Sequence, residues 1–280
     1  MRIQNENLRK RIYTGFFLAA AGCIMLGLSQ HPWVTKGCIS ILTGCGLYEF
    51  RKSVAETWST WFYRAMQLIG FAISWISINC YKELAAFSFC SSFLFSLYLI
   101  IRAADDNAPA SISDIQSVLL GLQIPLFFRA LYEIRMLELG LYHLTAALMV
   151  CAGTDIAAYW VGSKWGKTKL APLVSPHKTV EGALGGLAAA VLVLNLVTWL
   201  LSIRSSLTVH FSAVWIYAIT ASAIGQVGDL FMSALKRIAG IKDFGRVLPG
   251  HGGILDRFDS LLYVLPYTYL LYKFAGPLVR

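Results

Sequence analysis

The densest group of chemically reactive residues lies near the C-terminus, between positions 229 and 259. Cations, carboxylates, a histidine and accessible glycine backbone are the groups that hold a polyphosphate together with a divalent metal ion. Long apolar segments flank the group on both sides, so we expect this chemistry at a membrane surface. The segments concerned are Ser233-Ala-Leu-Lys-Arg237, Lys242-Asp243, Pro249-Gly-His-Gly-Gly253 and Asp256-Arg257-Phe258-Asp259.

An aspartate stands inside the apolar segment that leads into this group. Asp229 is followed by Ser233, Lys236, Arg237 and Gly240, which are four, seven, eight and eleven positions later. On an α-helix, residues at this spacing share one face. A carboxylate inside an apolar span is unfavourable, so Asp229 is a candidate site residue. The alternative is an ion pair of Asp229 with Lys236 or Arg237 that only stabilises the structure.

The glycine-rich turn at 249–253 is suited to binding an anion, because glycine leaves backbone N–H groups accessible and permits positive φ. An ordinary turn would have the same composition. Either aspartate beyond it, Asp256 or Asp259, could be the N-cap of the next helix. We expect Asp256 to bind metal, whereas for Asp259 a cap and a site residue are equally consistent with the sequence. His251 is expected to contact a phosphate or the backbone. A phosphate monoester has a second pKa of about 6 and needs no general base at neutral pH.

A second candidate anion-binding segment lies at 162–181. The stretch 162–168 is close to a P-loop, but it has three residues between its glycines where four are required, so that motif is rejected. The alternative to an anion-binding segment is an ordinary basic loop on the cytoplasmic side of a membrane. Gly182, Gly185 and Gly186 are expected to allow close helix packing. The candidate binding residues here are Asp155, Lys167, Lys169, Ser175 and Lys178.

Composition indicates an integral membrane protein. Of 280 residues, 57% are hydrophobic and 14% charged, the mean hydropathy is +0.61, and the apolar residues occur in long runs. The net charge of +9 indicates that the cytoplasmic loops are basic. It also indicates anionic lipid, rather than nucleic acid, as the partner of those loops. The six cysteines form no CxxC pair, so neither a disulfide framework nor a zinc site is predicted.

We expect an all-α, polytopic membrane protein with about nine transmembrane helices. If the N-terminus is cytoplasmic, 16 of the 24 Lys and Arg residues fall in cytoplasmic segments, and this bias predicts an N-in, C-out topology. Residues 1–138 would form N-terminal membrane helices. Residues 139–280 would form the catalytic membrane helices, with cytoplasmic loops at 162–181 and 233–257, in one integrated domain. The predicted spans are 12–30, 34–50, 61–79, 84–101, 113–131, 139–161, 182–203, 209–232 and 258–276.

Two of these spans need comment. The run at 12–30 is interpreted as a first membrane span rather than a signal peptide, because it is long and no small-x-small cleavage pattern follows. The span at 113–131 is the weakest, because Gly121, Pro125 and Arg129 interrupt it. Arg129 is expected to extend toward the membrane interface. The first four spans contain no ionisable cluster.

The composite pattern of the C-terminal half resembles the signature of the phosphatidate cytidylyltransferase (CDP-diacylglycerol synthase) family. The resemblance extends from about residue 150 to residue 260, and the stretch 175–182 is also typical of the family. Many relatives have an acidic residue immediately before the signature serine, where this chain has Met232. The signature is filled here by Ser233, Lys236-Arg237, Lys242-Asp243, His251-Gly252-Gly253, Asp256-Arg257 and Asp259.

The resemblance implies an enzyme that joins CTP and phosphatidate, giving CDP-diacylglycerol and pyrophosphate with the help of one or two Mg²⁺ ions. Metal binding is assigned to Asp229 and Asp256, with Asp259 as a further candidate. Lys236 and Arg237 would neutralise charge during catalysis. The residues expected to bind substrate are Ser233, Lys242, Asp243, His251, Gly252, Gly253, Arg257, Lys167, Lys178, Ser175 and Asp155.

The expected location is the inner (plasma) membrane of a bacterial-type cell, with the site at the cytoplasmic face and the chain as a homodimer in the lipid bilayer. Three alternatives stay open. A CTP-dependent polyprenol kinase would transfer the γ-phosphate instead. A secondary transporter would place its carboxylates near the bilayer midplane. A structural protein would leave Asp229 and the glycine turn unexplained.

Overall fold

The computed structural model describes residue 27 and residues 29–104, 112–204, 208–248, 250 and 252–279. Most of the first predicted span lies outside these residues, and so does His251. Eight α-helices lie wholly within them, together with one antiparallel hairpin. The helices are α1 (Pro32–Ser53), α2 (Thr60–Trp75), α3 (Tyr81–Ala103), α4 (Asp114–Arg135), α5 (Gly140–Trp165), α6 (Val180–Arg204), α7 (Phe211–Ile238) and α8 (Leu261–Ala275), and the strands are β1 (Lys169–Ala171) and β2 (Ser175–Thr179).

Five of these helices, α3 to α7, are long and apolar enough to cross a membrane. The protein is therefore a mostly helical, multi-pass membrane protein, as the apolar runs indicate. The other three described helices do not meet that criterion, and α2 and α8 have only 16 and 15 residues, fewer than the roughly 20 that cross a bilayer. The count of nine spans and the N-in, C-out topology stay predictions.

Helix α7 continues to Ile238, six residues past the predicted end of the eighth span at residue 232. Ser233, Lys236 and Arg237 are therefore helical, as their spacing predicts, and the predicted loop 233–257 begins with the last turns of α7. Gly240 lies two residues after the helix end and has a φ of +66°. The N–H of Ile241 bonds the Lys236 carbonyl, and the N–H of Gly240 bonds the Arg237 carbonyl. At 28 residues, α7 is roughly 42 Å long, which is longer than a bilayer core of about 30 Å.

The predicted loop at 162–181 is also partly ordered structure. Helix α5 continues to Trp165, and β1 and β2 then pair with Lys169 opposite Thr179 and Ala171 opposite Ser175. The all-α description therefore needs this short hairpin added to it. The N–H groups of Lys167 and Thr168 donate to the Glu181 carboxylate in the first turn of α6, which fixes the hairpin to that helix.

Helix α4, the weakest of the predicted spans, is the most buried of the five spanning helices. It accommodates Pro125 in its interior, and a Cβ at Gly121 would lie 2.5 Å from the Trp58 ring, so the Trp58 ring packs directly against the backbone of α4 here. The sequence of this helix is less apolar than that of a typical membrane span because protein, not lipid, surrounds much of it.

The prediction that Arg129 extends to the interface is wrong. Its side chain is buried and forms an ion pair with Glu133 at 2.6 Å. Its Nη1 donates to the carbonyls of Ile73, Ser74 and Ile76, at distances of 2.9, 3.1 and 3.1 Å. These carbonyls belong to the last turn of α2 and its C-cap, which lack intrahelical partners. Arg129 therefore caps α2 from inside the bundle.

The close packing expected of the glycines in α6 is confirmed. A Cβ at Gly182 would lie 2.7 Å from the Ala158 carbonyl oxygen, and one at Gly185 would lie 2.6 Å from Val161. A Cβ at Gly186 would lie 2.9 Å from the Thr154 side chain. Helices α5 and α6 therefore pack almost backbone to backbone, and the end of α5 that carries Asp155 lies beside the start of α6.

Candidate active site

The polar residues of α5, β2 and α7 meet around one cavity of about 220 Å³. Its centre is an ion pair in which Lys178 Nζ lies 2.6 Å from Asp229 Oδ2, with both side chains about one quarter exposed. Asp155 from α5 lines the same cavity. Ser233 contributes from the next turn of α7, because its hydroxyl donates to Asp229 Oδ1 at 3.5 Å. The structure thus joins residues from both loops that the sequence singles out.

Three further residues of this cavity were not identified in the sequence: Tyr159, His177 and Gln226. Gln226 precedes Asp229 by one helical turn and is polar within an apolar helix, which is the signal that would have indicated it. His177 stands between Pro176 and Lys178 in a stretch already recognised. Tyr159 carries no comparable signal.

A third carboxylate adjoins the Asp229–Lys178 pair. Asp259 immediately precedes the N-cap of α8, outside the five spanning helices. Burial and then the charge of nearby Asp229 raise the pKa of Asp259 to about 7. Its Oδ1 accepts the N–H of Ser260 at 2.7 Å, and Ser260, not Asp259, is the N-cap residue. The N-cap alternative is therefore wrong, and Asp259 faces a cluster of negative charge.

Three cations act on these carboxylates, and one of them, Lys236, acts on Asp259. Lys178 and Arg257 both act electrostatically on Asp155, although Arg257 is largely exposed to solvent. The side chains of Lys167 and Lys169 are exposed and are not among the lining residues, so of the three lysines expected to form an anion site only Lys178 reaches this cavity.

Asp256 has contacts unlike those of the other aspartates. It is 6% exposed, and its Oδ1 lies 2.9 Å from Lys236 Nζ in an ion pair. Its Oδ2 accepts the N–H groups of Phe244 and Gly253 at 2.9 and 3.0 Å. The carboxylate and the lysine that were expected to hold metal and substrate therefore bind each other and the loop backbone. A metal-binding role for Asp256 stays a prediction, and in this conformation it would require separating Asp256 from Lys236.

Arg237 also makes a structural contact, although its side chain stays exposed. Its Nε donates to the carbonyl oxygen of Val174, at 3.2 Å, in the turn between β1 and β2. Val174 is fully buried at this point. The end of α7 therefore holds the hairpin through Arg237 and the glycine loop through Lys236, so both loops lie at the same end of the bundle.

The sequence analysis missed a buried carboxylate in the N-terminal half. Glu49 near the end of α1 is 1% exposed, and its oxygens accept the N–H groups of Ile254 and Leu255, both at 2.9 Å. Glu49 is the only acidic residue in the predicted span 34–50, and that isolation was the available signal.

Comparison with known proteins identifies the family. Residues 9–275 match the model of a family described as the cytidylyltransferase family. The chain belongs to the cytidylyltransferase family. This confirms the family expected from the signature residues.

Curated relatives agree. The chain is similar to the phosphatidate cytidylyltransferase of Bacillus subtilis (strain 168), at 42% identity over 55% of this chain and 56% of that protein. It is similar to that of Staphylococcus saprophyticus at 44% identity, over 51% and 53%. With that of Staphylococcus aureus (strain COL) the identity is 34%, over 70% and 71%. The match thus spans about half the length of the first two relatives, and more than two thirds of the third.

The departure from the cytidylyltransferase pattern at Met232 is explained by its surroundings. Met232 is 6% exposed and lines a small apolar cavity with Phe50, Leu120 and Tyr263, among others. Asp229 and Ser233, on the same helix, contact each other at the polar cavity instead. A methionine satisfies this apolar position, and the structure needs no acidic residue there.

The remaining signature residues of the cytidylyltransferase family are distributed over the loop after α7. Lys242 and Asp243 line a separate surface cavity of about 430 Å³ together with Lys52 and Arg246. Gly252 has a φ of +82°, which favours glycine, and its carbonyl accepts the N–H of Leu248 at 2.9 Å. The substrate-binding roles of these residues, and of Ser175, Gly253 and His251, stay predictions.

Proposed function

We propose that this member of the cytidylyltransferase family is a phosphatidate cytidylyltransferase, which converts CTP and phosphatidate into CDP-diacylglycerol and pyrophosphate. The observation that carries the proposal is the Asp229–Lys178 pair, which lies with Asp155 at a cavity at one end of an apolar bundle. Such a site would receive a charged headgroup while the acyl chains of the same lipid stay among the apolar helices.

The reaction would be an in-line displacement at phosphorus. A phosphate oxygen of phosphatidate forms a bond to the α-phosphorus of CTP, and the bond from that phosphorus to the oxygen bridging to the β-phosphate breaks. Pyrophosphate leaves with the electron pair. The attacking oxygen is already largely deprotonated at neutral pH, so no general base is required. Lys178 and Arg257 would neutralise the phosphate charges at the cavity.

The carboxylates at this cavity fit a divalent cation that arrives with the triphosphate. Mg²⁺ is usually bound by one or two carboxylates plus substrate phosphates, rather than by an all-protein cage. Among the residues that the structure describes, no three or more His, Cys, Asp or Glu side chains are arranged to hold a metal by themselves, which agrees with shared ligation. We assign one protein ligand to Asp229, and either Asp155 or Asp259 would supply a second. The bound cation would stabilise negative charge on the leaving pyrophosphate.

We further propose that the site faces the cytoplasm at the plasma membrane. The support is the excess of Lys and Arg on the segments that would be cytoplasmic, including both loops at the site end of the bundle. CTP would then enter from the aqueous side, and phosphatidate would enter laterally from the bilayer.

The experiment that tests this function follows the two ends of CTP separately. Purified protein with phosphatidate and Mg²⁺ should transfer label from the α-phosphate of CTP into the lipid fraction, and no label from the γ-phosphate. A kinase attacks the γ-phosphorus and would do the reverse with a polyprenol acceptor. Transfer of γ-label to a polyprenol, without α-label in any lipid, would refute the proposal.

A further inference from the structure

The residue with the most unusual environment outside the cavity is Glu49. It comes from the N-terminal half, yet its carboxylate binds the backbone more than 200 positions later: Oε1 accepts the N–H of Ile254, and Oε2 that of Leu255. A buried carboxylate is very unfavourable unless it is compensated. None of the ion pairs in the described part of the chain involves Glu49, so these two N–H groups supply its compensation.

The loop is shaped around this carboxylate. A Cβ at Gly245 would lie 2.5 Å from Glu49 Oε1, and a Cβ at Gly253 would lie 2.5 Å from Glu49 Oε2. Neither glycine has a positive φ, so backbone conformation does not require glycine at these positions. The space that their side chains would fill is occupied by Glu49.

Glu49 and Asp256 act on consecutive peptide groups. The N–H of Gly253 binds Asp256, and the next two N–H groups bind Glu49. The two carboxylates thereby bind three consecutive N–H groups, those of 253–255. Three residues further on lies Asp259, whose carbonyl oxygen would lie 3.0 Å from a Cβ at Gly228, so Asp259 packs against α7 beside Asp229, whose charge acts on it. The position of Asp259 at the cavity therefore depends on how the preceding turn is held.

We propose that Glu49 is a positioning residue for the transfer reaction: by binding the N–H groups of Ile254 and Leu255, it holds Asp259 in place beside Asp229. This inference rests on the proposed function. A carboxylate is required because it offers two acceptor oxygens. An amide offers one oxygen and one NH₂ group, and the NH₂ group would face a backbone N–H, donor against donor.

The test compares Glu49→Gln with Glu133→Gln. Glu133→Gln is a matched control because it also removes a carboxylate from a partly buried contact. That contact is the ion pair of Glu133 with Arg129. Both variants are measured in detergent below their unfolding temperatures. Glu49→Gln should lower kcat by about 10- to 100-fold, the scale of a small misplacement of reacting groups. The KM for CTP should change much less, and Glu133→Gln should keep the kcat of the wild type.

A second readout does not depend on activity. Amide hydrogen exchange of peptides covering 252–260 should accelerate in Glu49→Gln and not in Glu133→Gln. Gly245→Ala displaces the Glu49 carboxylate rather than removing it, so it should reproduce both the lower kcat and the faster exchange. The control is Gly44→Ala on α1, whose added Cβ meets no atom within 4 Å and should change neither.

The outcomes separate this inference from the proposed function. A wild-type protein that transfers no α-label refutes the function, and the exchange measurement then still decides whether Glu49 holds the turn. An active Glu49→Gln with the kcat of the wild type, or one whose exchange at 252–260 is unchanged, overturns the positioning role. If Glu49→Gln does not accumulate as folded protein, the same two readings on Gly245→Ala decide.

Discussion

The Lys236–Asp256 ion pair gives the sharpest quantitative prediction, because it separates a structural role for Asp256 from a role in metal binding. The two side chains are 13% and 2% exposed, and the charged atoms lie 2.9 Å apart. In Asp256→Asn, the amide oxygen can still accept the two backbone N–H groups, but its NH₂ group faces the ammonium of Lys236. We therefore expect the loss to come almost wholly from the broken pair.

The magnitude follows from burial. Removing one partner of a buried pair costs about 3–5 kcal/mol. Because the lysine is slightly accessible, we expect about 2–4 kcal/mol for Asp256→Asn by that rule. Lys236→Met leaves Asp256 with its two backbone donors, so we expect a smaller loss, about 1–3 kcal/mol. The double variant leaves neither charge unpaired and should be more stable than the sum of the two losses implies, by roughly 2 kcal/mol.

The assay is equilibrium unfolding of the wild type, both single variants and the double variant in mixed detergent micelles, followed by far-UV circular dichroism. A non-additive cycle supports the structural pair. Losses that add within about 0.5 kcal/mol would show that the two residues are not coupled. An Asp256→Asn variant as stable as the wild type but inactive would refute the reasoning and favour the metal-ligand role implied by the family resemblance.

Three further predictions follow from the site and the bundle. Asp229→Asn should lose most activity, while its free energy of unfolding changes by less than about 1 kcal/mol, because the pair with Lys178 is partly exposed; a stable, active variant would remove Asp229 from the site. Arg129→Met should destabilise the protein by about 3 kcal/mol or more, since three carbonyls and Glu133 lose their partner. Thermal unfolding in detergent measures this loss, with Arg64→Met as the exposed control. Single cysteines at Ser163 and Arg246, in a cysteine-free background, should be blocked only by reagents that enter sealed cells, and labelling from outside would overturn the proposed orientation.

How far the sequence predicted the site is seen best in α7. Spacing alone placed Asp229, Ser233, Lys236 and Arg237 on one helix, and the structure shows Ser233 in contact with Asp229. Spacing could not show what each side chain binds. Lys236 binds Asp256, and Arg237 binds the Val174 carbonyl. Both partners are distant in the sequence, and the loop conformations that bring them close are not encoded by any local pattern.

The limits of sequence analysis appear at Glu49 and α4. The partners of Glu49 lie more than 200 positions later in the sequence, so a lone glutamate in an apolar run gives no indication of which backbone it binds. Helix α4 was underestimated for a related reason. Hydropathy measures suitability for lipid, whereas Pro125 and Arg129 are compensated by neighbouring helices, which a single-segment pattern does not include.

The central claim is that cytidylyl transfer takes place at the cavity formed by Asp155, Lys178 and Asp229. The most direct measurement is transfer of label from the α-phosphate of CTP to phosphatidate by the wild type, Asp229→Asn and Glu56→Gln, an exposed acidic residue that serves as the control. The wild type and Glu56→Gln should transfer label at similar rates, and Asp229→Asn should transfer at least about 100-fold less. Equal transfer by all three would contradict the account.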